Sequence, residues 1–224
     1  MRFTCENNHV RNLANFDTLI AKISEFSKGY NPAKSSIQLG SLSIVSQNTK
    51  VAIAYVNQLT HQYIHSTNSC DVIFETLQFL NLKIHKVLQS AININETELY
   101  MLLETQKVMG KPFALQEHYD SMLKNFSKVI KLLKENPFYL PQKSELKIPK
   151  LEDFYTSLYQ KTNEVKQNYA LLKNAQLILN EVLYREHNGL VTLATLAKMY
   201  IKYHYGWDSD HYKQVARLII KKAK

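Results

Sequence analysis

The sequence predicts an all-α fold: an elongated antiparallel helical bundle with coiled-coil-like packing, two related helical units lying in a pseudo-two-fold arrangement. Three observations predict it. Glycine is scarce, 5 of 224 residues, where average usage is about 7%. Positive-φ turns, tight hairpins and phosphate-cradling loops need that residue, so long helices with few connections are expected. Apolar residues then recur every 3.5 positions over long stretches. Finally, two segments of the chain repeat in the same order.

The heptad series runs through Leu42, Val45, Thr49, Ala52, Val56, Leu59, Tyr63, Ser66, Cys70, Ile73, Leu77, Leu80, Ile84 and Val87. Only Thr49 and Ser66 break its apolar character, so the stretch reads as a helical seam and not as strand or loop. A second series runs through Leu151, Phe154, Leu158, Lys161, Val165, Asn168, Leu172, Ala175, Leu179 and Val182, with Lys161 and Asn168 as its exceptions. Such periodicity means long helices packed side by side at a shallow angle.

The repeat is carried by two pairs of segments. Phe16-Asp17-Thr18-Leu19-Ile20 is matched by Tyr119-Asp120-Ser121-Met122-Leu123, and Tyr30-Asn31-Pro32-Ala33-Lys34-Ser35 by Tyr139-Leu140-Pro141-Gln142-Lys143-Ser144. The period is far longer than a solenoid unit, so the chain reads as a single helical domain made of two copies, about 9–91 and 114–205.

In chain order, a first helix is predicted near 9–28, stopped by Gly29 and Pro32. A long helix follows from about 37 to 66, with another at 70–91. Ser66-Thr67-Asn68-Ser69 is poor helix material and favours a break, whereas the unbroken heptad phase favours one continuous rod. A linking helix at about 93–109 closes at Gly110 and Pro112. Helices near 114–135, 149–187 and 190–205 make the second copy. His187-Asn188-Gly189 reads as a C-cap between the last two. Ser209 caps a basic C-terminal helix at about 209–222. No strand is expected.

The loop YNPAKSSIQL, the segment Leu183, Tyr184, Glu186, Gly189, Leu190, Val191, and the ending Gly206, Ser209, Tyr212, Lys213, Gln214 resemble a family of bacterial all-helical proteins with a duplicated Tyr-x-Pro loop module. That family has no established activity. The resemblance therefore implies an all-helical fold and no chemistry. The chain departs from the family in carrying more Tyr, His and Lys and less Ala along the long helices, which implies a more irregular bundle.

Composition narrows the function classes. A hydrophobic fraction of 45% supplies a core. Two cysteines, Cys5 and Cys70, cannot build a disulfide framework and fit a reducing compartment. No secretory signal or membrane span is evident, so a cytoplasmic location is expected. The net charge of +9 is concentrated at the C-terminus. Lys198, Lys202, Lys213, Arg217, Lys221, Lys222 and Lys224 face only Asp208 and Asp210 there, a net +5.

Candidate chemistry is thin. His61 and His65 are four apart and would share a helix face as a zinc pair does, but no third and fourth ligand accompanies them, so no metal is expected. Cys70 lies on the seam as a small hydrophobe, and Cys5 in the terminus. Glu96 with Glu98, and Glu152 with Asp153, sit near helix starts, where capping explains them. The Tyr-x-Pro-x-Lys-Ser loops read as helix punctuation, with serine capping the next helix and tyrosine covering the bundle end. The most suggestive feature is a basic stripe, Lys213, Arg217 and Lys221, stepping by four, with Lys224 close by. It could bind anions: a nucleic-acid backbone or an anionic membrane surface. Docking of its apolar face, Tyr212, Val215 and Ile219, on the bundle is the favoured reading. The sequence thus points to a non-enzymatic structural or protein-interaction bundle with no cofactor and a protein partner. Nucleic-acid or anionic-surface binding is the alternative, and oligomeric state is left open.

Overall fold

The structure is a computed structural model describing residues 3–26, 29–90, 115–137 and 139–222. The linking helix expected at 93–109, its Gly110 and Pro112 stop, and the Glu96 and Glu98 pair lie outside those residues. Among the described residues there are six α-helices, two short 3-10 turns and no strand. The helices are α1 (Phe3–Glu25), α2 (Leu39–Ser90), α3 (Leu115–Glu135), α4 (Ile148–Tyr184), α5 (Leu190–Tyr205) and α6 (Asp210–Ala216). The fold class is all-α, as the glycine scarcity and the heptads predict.

Several boundaries differ from the sequence reading, and the question it left open at 66–69 is answered. The first helix starts at Phe3, so the backbone of Cys5 is helical and not part of a loose terminus. No break occurs at 66–69: α2 runs unbroken. The hydroxyls that suggested a cap there turn back into the helix, Ser66 Oγ and Thr67 Oγ1 each donating to the Tyr63 carbonyl at 2.9 Å. Gly189 is not a left-handed C-cap. It is the extended N-cap of α5, φ −71°, ψ 152°. A Cβ at that position would lie 2.5 Å from the Arg185 amide nitrogen, which explains the glycine. The final helix stops at Ala216 instead of continuing to 222.

The seams behave as the heptads require. None of the 14 positions of the first series or the ten of the second is exposed. Even the polar exceptions are buried or half-buried: Thr49 Oγ1 donates to the Val45 carbonyl at 2.8 Å, and Lys161 pairs with Glu164 at 2.8 Å.

The chain divides into two compact units, Met1–Thr60 with Leu171–Lys224, and His61–Ala170. The first holds α1, the first Tyr-x-Pro loop, the start of α2, the end of α4, α5 and α6. The second holds the end of α2, α3, the second loop and the start of α4. Each unit therefore contains one short helix with its loop, one start and one end of the two long helices.

In the first unit, α1 and the turn that follows it bury Phe16, Leu19, Ile23 and Phe26, a 3-4-3 stripe, and α1 packs on α5 and α6. Leu42, Leu190, Leu193, Ala197, Ile201 and Val215 are buried in the same unit. In the second, α3 buries Tyr119, Met122, Phe126, Val129 and Leu133 on the same rhythm, against Cys70, Phe74, Leu77, Leu151 and Leu158. Each fully buried large apolar side chain contributes about 1.5–3 kcal/mol. Asp17, beside Phe16, receives a hydrogen bond from Ser46 and pairs with Lys50 at 2.9 Å. Asp120, beside Tyr119, pairs with Lys166 at 2.6 Å.

The two loops share one hydrogen-bond pattern. Tyr30 donates its phenol to the Ile37 carbonyl at 2.7 Å, and Tyr139 to the Leu146 carbonyl at 2.6 Å. Ile37 N–H bonds to the Lys34 carbonyl at 3.2 Å, and Leu146 N–H to that of Lys143 at 3.1 Å. The expected serine caps are absent. Ser35 and Ser144 instead begin 3-10 turns, with Lys34 and Lys143 at the cap position and no side-chain cap bond. The tyrosine is the loop's clasp, tying its first residue to its last turn.

Candidate functional site

Most of the polar side chains that sequence reading singled out are engaged in structure. Cys70 is fully buried, as its seam position predicts, and burial pushes its thiol up to about 11, far from a thiolate nucleophile. Beside it Tyr119 donates its phenol to Asp71. Burial and that bond hold the phenol well above its ordinary range. His61 and His65 are exposed and line a depression of about 490 Å³ with Gln62, Glu164 and Asn168. Glu164 is bonded to Lys161 at 2.8 Å. Among the described residues no group of three His, Cys, Asp or Glu side chains could hold a metal ion. Glu152 and Asp153, at the start of α4, pair with Lys134 at 2.6 Å and Lys150 at 3.1 Å.

The basic C-terminal residues are not brought onto one helix face. Lys213 lies in α6 and is paired with Asp208 at 2.6 Å. Arg217 is the C-cap, where the helix ends. Lys221 falls in the extended segment beyond it, so the four-residue step from Lys213 is not a helical step past Ala216. Lys224 lies outside the described residues. Ser209 does cap α6, accepting from the Tyr212 amide at 3.1 Å. Val215, on the expected docking face, is fully buried, whereas Ile219 is half exposed.

What the C-terminus does instead was invisible to helical periodicity. Residues 218–221 run extended along α1. Asn12 and Asn15, three apart and so on one face of α1, both aim amide nitrogens at this segment. Asn12 Nδ2 donates to the Lys221 carbonyl at 2.8 Å and Asn15 Nδ2 to the Ile219 carbonyl at 2.8 Å. Asn12 Oδ1 accepts the Lys221 N–H at 3.2 Å. From α5, Lys198 donates to the Leu218 carbonyl. Burial lowers the pKa of that ammonium.

A second feature of the first unit is an aromatic array. Tyr30, Tyr200, His204, Tyr205, His211 and Phe26 follow one another at ring-centroid distances of 5.2, 5.5, 4.8, 4.4 and 4.7 Å. It joins the clasp of the first loop to α5 and α6 by offset and edge contacts. The density of Tyr and His between 200 and 212 was its only sequence signal.

The first unit also carries a groove of about 540 Å³ between the start of α2 and the end of α4. Ile44, Val45, Ile178 and Val182 supply its apolar surface, and Ser36, Asn48 and Asn188 its polar margin. At its rim Arg185 bonds to Glu181, Nε to Oε2, at 2.9 Å. Ile44 and Ile178 are 63% and 57% exposed. Seven residues along α2 stands Val51, 59% exposed, and seven residues back along α4 stands Leu171, 47% exposed. Single exposed hydrophobics are ordinary. Here two helices each repeat one at heptad spacing.

No helix among the described residues is long and apolar enough to cross a membrane. Compared with family models, with curated proteins and with solved structures, the chain matches none.

Proposed function

We propose that this protein is a non-enzymatic interaction module whose docking surface is the groove between α2 and α4 in the first unit. The observation that carries the reading is the second heptad stripe: Ile44 and Val51 on one helix, Leu171 and Ile178 on the other, all exposed. An amphipathic helix with apolar residues at alternating steps of three and four fits two such rows as the third member of a small bundle. The Glu181–Arg185 pair at the rim gives such a helix a charged edge by which register is chosen.

Among the described residues, the engagement of the singled-out polar side chains in packing and pairing supports a binding role over catalysis. The buried cysteine, the paired carboxylates and the clasp tyrosines are each accounted for by packing or hydrogen bonding. We also propose that the two Tyr-x-Pro loops are copies of one module. The support is their shared bonding pattern at a constant offset in sequence, and the recurrence of Phe16-Asp17 as Tyr119-Asp120.

The test is a photo-crosslinking side chain at Asn48, on the groove margin, in cells of the source organism. A discrete cross-linked partner is expected, and it should vanish when Ile44→Lys and Ile178→Lys are added. Both side chains are exposed, so the helical content of the double variant should be unchanged. A cross-link that persists at full strength in the double variant would place the partner elsewhere, and its complete absence in the parent would refute the groove.

A further inference from the structure

The main chain of 218–221 is held by a built site of side-chain donors and acceptors, and Leu218 and Ile220 are half-buried beneath it. Asn12 is 4% exposed, yet both edges of its amide are spent on the main chain of Lys221. Asn15 takes the carbonyl of Ile219, two residues earlier. Binding at alternate residues is how an extended strand is read. The side chains are treated differently: Ile219 is 50% exposed and Lys221 points its charge to solvent. Lys222 has a partner of its own, its ammonium 5.8 Å above the Tyr184 ring. Recognition of this kind reads the main chain, two half-buried apolar side chains, Leu218 and Ile220, and one cation.

The groove floor can also stand open. The groups that hydrogen-bond to the segment, Asn12, Asn15 and Lys198, all hydrate when uncovered. Departure of the segment therefore exposes polar atoms that water can satisfy, and its apolar cost is confined to the half-buried Leu218 and Ile220.

We propose that the face of α1 carrying Asn12 and Asn15, with Lys198 of α5, is a receiving site for an extended peptide supplied in trans, apolar residues followed by lysines, and that the chain's own segment 218–222 is its exchangeable resident. The incoming peptide takes the Asn12 and Asn15 amides by its main chain and lays a cation over Tyr184. The tethered segment competes at a high effective concentration, so the free site is disclosed by weakening the resident.

The experiment uses the full-length chain and a fluorescent peptide of the sequence RLIIKKAK, read by anisotropy. Lys221→Pro removes the N–H that Asn12 Oδ1 accepts, while leaving every helix intact. The peptide is expected to bind this variant about tenfold more tightly than the parent, the factor set by loss of roughly one hydrogen bond from the competitor. Adding Asn12→Ala to the Lys221→Pro chain should weaken binding about tenfold again. Binding that is the same with and without Asn12 would mean that the peptide sits on another surface, and overturns the proposal. A flat anisotropy up to about 1 mM with the Lys221→Pro chain overturns it equally. Hydrogen exchange at the tail amides, faster in Lys221→Pro than in the parent, confirms that the resident has been loosened when the titration is read.

Discussion

Asn12 grips Lys221 by both edges of its backbone, donating to the carbonyl at 2.8 Å and accepting the N–H at 3.2 Å, although 209 residues separate them in the chain. The contact closes the first unit by tying its last described segment to its first helix. It is the kind of pairing that a β-strand neighbour would supply, made here by one side chain.

Replacing Asn12 by alanine should lower the unfolding free energy by about 1–2 kcal/mol, since two hydrogen bonds are lost and the freed groups on Lys221 lie near solvent. Asn12→Asp keeps the acceptor but sets a carboxylate against the Lys221 carbonyl, so it should loosen the tail at least as much. Urea unfolding gives the first number, and hydrogen exchange at the Lys221 amide reports the second. Unchanged exchange in both variants would show that the segment is held by other contacts.

Gly29 and Tyr205 make a sharper test, because the expected sign depends on the partner. A Cβ on Gly29 would lie 2.4 Å from the Tyr205 hydroxyl oxygen and 3.3 Å from the ring carbon that carries it. Gly29→Ala should therefore destabilise the first unit by about 1–3 kcal/mol through overpacking. The Tyr205 hydroxyl is buried with no hydrogen-bond partner among the described residues, so Tyr205→Phe alone should cost little. In the double variant the clash with oxygen is gone, and most of the loss should be recovered. Additive losses in that cycle would mean that the glycine is needed for some reason other than this hydroxyl.

The parts of the fold that were legible in the sequence are those set by period. The seam residues from Leu42 to Val87 and from Leu151 to Val182 could be read because a buried helix face must recur every 3.5 residues. The recurrence of Phe16-Asp17 as Tyr119-Asp120 was legible for the same reason, since each marks the same face of a short helix. What could not be read was set by partners distant in the chain. Ser66 and Thr67 look like a cap until their hydroxyls are seen bonding back to Tyr63. Gly189 resembles a left-handed C-cap, and only the nearness of Arg185 shows why it is a glycine. Arg217 and Lys221 continue the spacing of Lys213, but the helix ends because Asn12, Asn15 and Lys198 offer the following backbone a better set of bonds. The apolar groove was hidden because Ile44 and Ile178 stand off the main seam and come together only when α2 and α4 are aligned.

The clasp tyrosines make the stability of the protein depend on alkaline pH, with a sign that follows from their burial. Burial pushes the Tyr139 phenol up to about 12, whereas in the unfolded chain it returns to about 10.0. Below pH 10 both states hold the proton, and this residue adds no slope. Between about 10 and 12 the unfolded chain releases a proton that the folded chain keeps, so stability falls as pH rises, by up to about 1.4 kcal/mol per pH unit. Tyr30 and Tyr119 are raised in the same direction and steepen the fall. Lys198 acts with the opposite sign: its folded pKa is lowered, so stability rises with pH from that folded value up to 10.5. Tyr139→Phe leaves the Leu146 carbonyl without its donor and should cost about 0.5–1.5 kcal/mol at pH 7. It also deletes one proton from the alkaline transition. The parent's advantage over the variant in urea unfolding should therefore be constant from pH 7 to 9, fall from pH 10 upward and change sign before pH 12, because the roughly 2 kcal/mol tied to the shift exceeds the bond's contribution. A difference that stays fixed across that range would mean that the Tyr139 phenol ionises as freely in the folded protein as in the unfolded chain, and that the clasp does not shield it.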